Sequence, residues 1–180
     1  MAPVDARGRS ARGRGDSAAS HAGAIDAVAA ARALRERSGR GAVGRLPEAL
    51  APWVDAARDA AAAAYAPYSG LAVGACVLAA DGRVAVGCNV ESASFGLTQC
   101  AERAAVAAAR VQGLADLRLV VLTSSAGAIP PCGACRQVLF ELAPQALVVS
   151  VDEDGAARAW TAQELLPDAF DGSELTRDDA

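Results

Sequence analysis

No lysine occurs in this 180-residue chain; all 17 basic side chains are arginine. The one histidine, His21, lies in the Arg-rich stretch 1–45. It is therefore given no catalytic or metal role. Aromatics are few (two Trp, two Tyr, three Phe), and after Arg45 eight arginines face seventeen acids, a net of −9. Single-strand grooves need a basic track and aromatic platforms, so no polynucleotide partner is expected. Nothing approaches the ~18 consecutive apolar residues of a membrane-spanning helix. The first twenty residues contain no apolar core of a secretory signal, so the expected location is cytoplasmic. Cysteines number five, an odd count. In a reducing compartment they read as metal ligands, nucleophiles or core thiols rather than disulfides.

What the chain has in excess is alanine, 47 residues, which supplies about half of the 53% hydrophobic content. The larger apolar side chains suffice for one core of ordinary domain size. Residues 1–45 hold nine arginines against four acids, a net of +5, with Arg/Gly/Ser/Ala composition and few large apolar groups. They read as a disordered tail, because so little apolar surface does not offset the entropy of ordering. Within it Ile25–Arg37 has helix-forming composition but almost no apolar stripe. The folded domain is expected over 46–180.

Hydrophobic periodicity and turn chemistry place the elements. Glu48–Tyr65 reads as a helix ended by Pro67-Tyr68-Ser69-Gly70. Leu71–Ala79 and Arg83–Val90 read as a hairpin across Ala80-Asp81-Gly82, an Asp-Gly turn. Cys100–Val111 and Gly133–Leu142 read as helices, and Leu117–Thr123 and Leu147–Val151 as buried strands. Ala156–Trp160 reads as an edge strand and Thr161–Leu166 as a short helix. The expected fold is α/β, a three-layer α/β/α sandwich around a mixed sheet of about five strands. In such sheets sites form at helix N-termini beyond the C-terminal ends of parallel strands.

The cysteines fall at those places. Cys100-Ala101-Glu102 opens one helix, and Pro131-Cys132-Gly133-Ala134-Cys135 opens the next. Three thiolates converging there make a Zn²⁺ site, since soft sulfur selects this metal, and three protein ligands leave a position for water. Helix N-termini carry partial positive charge, which keeps the thiols ionised. Glu102 stands two residues from the first ligand, placed to take a proton from water. The layout matches that of zinc nucleobase deaminases, in which the Glu is not a ligand. Cys76 and Cys88 lie within strands and read as core thiols.

Together with Ala64-Tyr65-Ala66-Pro67-Tyr68-Ser69, Val73-Gly74-Ala75, Gly87-Cys88-Asn89-Val90-Glu91, Cys132–Gln137 and Gln163–Pro167, these residues resemble the small, homotetrameric, three-cysteine cytidine deaminases, from about Glu48 to Phe170. The resemblance implies hydrolytic deamination of cytidine and 2′-deoxycytidine to the uridines in pyrimidine salvage, with one Zn²⁺ per subunit and Glu102 as proton shuttle. It implies that Asn89 and Glu91 hold the ribose 3′-hydroxyl, and that the backbone of Ala101 and the Glu102 carboxylate read the base edge. Phe170 would pack over the base from a neighbouring subunit, in a homotetramer with shared sites. Arg103 would hydrogen-bond the thiolates and offset their charge, with Arg136 similarly placed.

Two positions depart from the family pattern. Leu71 stands where relatives often carry a Phe that stacks on the pyrimidine. Phe95 stands where they often carry a Tyr reaching toward the 5′ side of the sugar. The alternative functions are deamination of another aminopyrimidine nucleoside, such as blasticidin S, and a non-catalytic zinc-binding scaffold.

Overall fold

The computed structural model describes residues 21–172. A six-stranded mixed sheet forms the middle layer, in the order β1-β6-β5-β4-β2-β3. Its strands are β1 (Gly44–Arg45), β2 (Val73–Ala79), β3 (Val84–Cys88), β4 (Leu117–Ser124), β5 (Leu147–Val151) and β6 (Ala156–Thr161). Only β4 and β5 pair in parallel; the other neighbours are antiparallel. β2, β4 and β5 consist mostly of Val, Leu, Ala and Cys and are buried nearly throughout, as strands covered on both faces require.

Alternate residues of these strands point to two separate cores. One face, with Val77, Val120, Leu122 and Val148, packs against α3 (Ala101–Val111), α4 (Gly133–Leu142) and α5 (Ala162–Leu165). The other, with Leu78, Leu119, Val121 and Val149, packs against α1 (His21–Ser38) and α2 (Ala51–Ala61). α5 starts with a complete capping box between Thr161 and Glu164. Two glycines set the helix-to-sheet distance. A methyl on Gly74 would overlap the Ala57 carbonyl on α2, and one on Gly87 would overlap the Ala105 amide and Ala101 carbonyl on α3. Gly87 therefore lets the first turn of α3 lie directly on β3.

Three expectations are corrected. The stretch 21–45, read as part of a disordered tail, forms α1 and β1, whereas residues 1–20 lie outside the described residues. The buried face of α1 is Ala24, Ala27, Ala31 and Leu34, a helical period drawn mostly in methyl groups. Alanine is the best helix former and allows close approach to the sheet, but an alanine stripe scarcely contrasts with the alanines around it. The second correction follows from β1, which pairs Gly44 with Ala157 and Arg45 with Ala156. It makes a sixth strand, and β6 is not the edge. Finally, the helix read as reaching Tyr65 begins with a 3-10 turn at Glu48–Leu50 and its α-helical part ends at Ala61. Tyr65 is drawn into a ladder instead: its amide donates to the Asn89 carbonyl, and its carbonyl accepts from the Glu91 amide.

Among the described residues no helix is long and apolar enough to cross a membrane.

Candidate active site

β3 and β4 run the same way, with β2 between them. The helices that follow them, α3 and α4, consequently start at the same end of the sheet, and their first residues converge. Cys100 is the N-cap of α3 and Cys132 the N-cap of α4, both with extended backbone, and Cys135 sits in the first turn of α4. The Cys100 and Cys132 sulfurs are 3.8 Å apart and those of Cys132 and Cys135 3.5 Å. All three lie within 4.8 Å of one another. These are not disulfides, which need about 2.05 Å. Four-coordinate zinc with sulfur at about 2.3 Å demands sulfur–sulfur separations near 3.8 Å, so the donor set fits that metal in both chemistry and spacing. Among the described residues Cys76 and Cys88 stay out of the cluster, which excludes a closed four-thiolate arrangement built with Cys88. Cys76 is a buried core thiol whose pKa burial raises to about 12.

Charge at the cluster is arranged around thiolates. The Cys100 thiol falls to about 5, chiefly through its hydrogen bond with Cys135, with further help from Arg103 and Cys132. Cys135 moves the opposite way, through that same bond and through burial. Nη2 of Arg103 donates to the Thr98 carbonyl at 2.8 Å and reaches the Cys100 sulfur at 3.8 Å. Glu102 is buried, 6% exposed. Burial holds its carboxyl above the ordinary range, and the Cys100 charge adds to the rise. A carboxyl so placed changes protonation closer to neutrality than an exposed one. Ala101 is buried beside it at the start of α3.

A second cluster adjoins the first. Val90 exchanges both backbone hydrogen bonds with Gln99, the residue before Cys100. This bridge sets the Asn89–Glu91 segment alongside the metal-ligand cluster. The Asn89 side chain accepts from the Val73 amide at 2.9 Å and donates to the Leu71 carbonyl at 2.8 Å, so it fixes the Leu71–Val73 backbone. The Glu91 carboxylate accepts from the Tyr68 amide at 2.8 Å and from the amide and hydroxyl of Ser69. Those bonds, Ser69's hydroxyl first, hold Glu91 below the usual carboxylate range. Glu91, Tyr68, Ser69, Phe95 and Thr98 line a cavity of about 350 Å³, where the Tyr68 and Phe95 rings meet edge-on at 5.8 Å. Thr98 belongs to both clusters, since its carbonyl receives Arg103.

The structure thus brings Cys100, Cys132, Cys135, Glu102 and Arg103 together, with Asn89, Glu91 and Leu71 in the adjoining cluster. Phe95 and Phe170 remain open to solvent, 74% and 58% exposed. Tyr68, Ser69 and Thr98 were not singled out in the sequence. The first two stand in the Ala64–Ser69 motif, but Thr98 acts through its backbone, which no side-chain pattern reports.

Residues 48–151 match the family described as the cytidine and deoxycytidylate deaminase zinc-binding region. The cytidine deaminase of Mycobacterium tuberculosis is 46% identical over 123 residues, covering 68% of this chain and 90% of the relative. That of Halalkalibacterium halodurans is 44% identical over 114 residues, covering 62% and 86%. The crystal structure of cytidine deaminase from Burkholderia pseudomallei superposes with a TM-score of 0.64 at 44% identity, over 67% of this chain and 98% of that one. The chain belongs to the cytidine and deoxycytidylate deaminase family of zinc-dependent hydrolases.

Proposed function

We propose that this chain hydrolyses cytidine and 2′-deoxycytidine to the uridines and ammonia, with Cys100, Cys132 and Cys135 holding one Zn²⁺ per subunit and Glu102 moving the protons. The observation that carries this reading is the buried Glu102 carboxyl beside three sulfurs at zinc spacing. Zinc bound there supplies a Lewis acid that brings the pKa of water down toward about 7. Glu102 takes the proton of the attacking water and delivers it to N3 of the base, which makes C4 electrophilic. The water oxygen bonds to C4; Glu102 then takes the second proton, from the new C4 hydroxyl, and passes it to N4 as the C4–N4 bond breaks, which leaves the C4 carbonyl of the uridine and ammonia. Its raised pKa suits a group that must both accept and give a proton near neutrality. Arg103 offsets the negative charge of the thiolates.

Ribose recognition falls to Glu91 and Asn89. A carboxylate offers about four acceptor sites, and three donors from Tyr68 and Ser69 occupy part of that capacity. One site remains for a sugar hydroxyl, as does one N–H of Asn89. Leu71 gives the base apolar contact without π-stacking. Ala101 presents its backbone to the base edge. Phe95, and Phe170 from a neighbouring subunit, complete the pocket in a cytoplasmic homotetramer. The exposure of Tyr65, Tyr68, Val90, Phe95, Leu97 and Phe170 supports a shared site, since lone subunits would leave this apolar surface in water.

The test is the ultraviolet absorbance of cytidine followed over time with zinc-loaded protein. Conversion to the uridine spectrum is expected, with Glu102→Gln keeping fold and zinc but losing about 10²–10⁴-fold in turnover. Full activity in that variant overturns the proton-shuttle role. Light scattering on the eluting protein tests the assembly, and an active monomer ends the shared-site reading. Leu71 and Phe95 give the rival substrate class its support, and a panel of aminopyrimidine nucleosides decides between them.

A further inference from the structure

We propose that Gln137 is a positioning residue that presets Phe170 for the active site of a neighbouring subunit. The proposal rests on the reading of Phe170 as a contact supplied across the assembly.

Gln137 lies on α4, two residues after Cys135. Its Nε2 donates to the Phe170 carbonyl at 2.8 Å and to Oε1 of Glu141, one turn further along, at 2.6 Å. Both amide hydrogens are engaged, so the orientation of the side chain is pinned by its own helix. The segment leading to Phe170 is fastened upstream as well. Arg136, the adjacent residue, donates from Nη1 to the Leu165 carbonyl at 3.3 Å and from Nε to the Pro131 carbonyl at 2.8 Å. At the start of α5, Glu164 closes the capping box and is paired with Arg35 of α1.

The ring and backbone of Phe170 are treated differently. Its carbonyl is held on α4, while the residue as a whole is 58% exposed. More than half of its surface is left unburied by its own chain, so the bond to its carbonyl serves to aim it. Fixing the backbone beforehand removes the entropy of ordering a free segment at each docking. The helix that begins with two metal ligands in one subunit therefore also directs an aromatic at the next.

The experiment compares Gln137→Leu, Phe170→Ala and the double variant as full-length, zinc-loaded protein, reading kcat and KM for cytidine separately. Gln137→Leu is expected to raise KM about 2- to 10-fold, the range of one lost hydrogen bond, with kcat and zinc content unchanged. The double variant should be no worse than Phe170→Ala alone. If Phe170→Ala raises KM but Gln137→Leu does not, positioning by Gln137 is overturned and the Phe170 contact stands. A Phe170→Ala variant with wild-type KM removes the underlying reading itself. Additive effects, or loss of zinc or kcat in Gln137→Leu, assign Gln137 a different role and overturn the proposal.

Discussion

On one face of the sheet, α3 and α4 are each preceded by a cysteine N-cap and bring three sulfurs and a buried Glu to one point; on the other, α1 and α2 bury alanines, Trp53 and a few aliphatic side chains. Both faces are closed by helices on the same strands. What separates them is which helix ends converge. α3 and α4 follow strands that run the same way, so their N-termini meet, and the partial positive charge of two helix ends favours thiolates there. The α1–α2 face contributes distance and rigidity: Gly74 lets α2 sit close on β2, and the alanines of α1 do the same for the other half. Chemistry requires convergence, whereas covering a sheet requires only small, apolar surfaces.

The largest expected effect tests the chemical face. Cys132→Ser, an exposed ligand position, should cost at least ~10²-fold in cytidine turnover because the Lewis acid is lost. Zinc content by atomic absorption should fall with it while circular dichroism is retained. On the other face Leu34→Ala, fully buried in α1, should lower stability in urea by about 2–5 kcal/mol. The kcat of the folded protein should stay unchanged; no loss of stability would return 21–45 to the status of a tail. The two faces are joined by the Arg35–Glu164 pair. Arg35, by hydrogen bond and charge, lowers Glu164 below its ordinary 4.5. Its contribution is therefore full above that pH and is lost as pH falls through the lowered value. The urea midpoints of wild type and Glu164→Gln should differ at neutral pH and converge in acid. The smallest effect is at the rim: Phe95→Tyr restores a hydroxyl and should lower KM for cytidine about 2- to 10-fold. An unchanged KM would mean that the exposed ring at 95 does not face the sugar.

Legibility in the sequence followed the range of the interactions involved. The bounds of α4 and β5 agree with those read from hydrophobic pattern, and the cysteine cluster was visible because Cys100-Ala101-Glu102 and Pro131–Cys135 are each short patterns at a helix start. α1 was assigned to the tail, despite helix-forming composition over Ile25–Arg37, because its buried stripe is alanine within an alanine-rich stretch. β1 escaped because two residues, Gly44 and Arg45, become a strand only by pairing with β6. Tyr65 has helix-compatible surroundings, yet two hydrogen bonds to Asn89 and Glu91 take it out of the helix. Asn89 was read as a ribose ligand from the family resemblance; that its amide also spans Leu71 and Val73 depends on residues sixteen to eighteen positions away in sequence.

By itself the sequence determined the helices from α2 onward and most of the strands, the three sulfurs, and the Glu beside them, because propensity, periodicity and ligand spacing act over a few residues. Tertiary structure alone decided that α1 belongs to the sandwich, that the Thr98 carbonyl and Cys100 share one arginine, and that Gln137 holds Phe170. Those contacts join residues that only packing brings together, and some use backbone atoms that every residue possesses, so side-chain identity carries no trace of them.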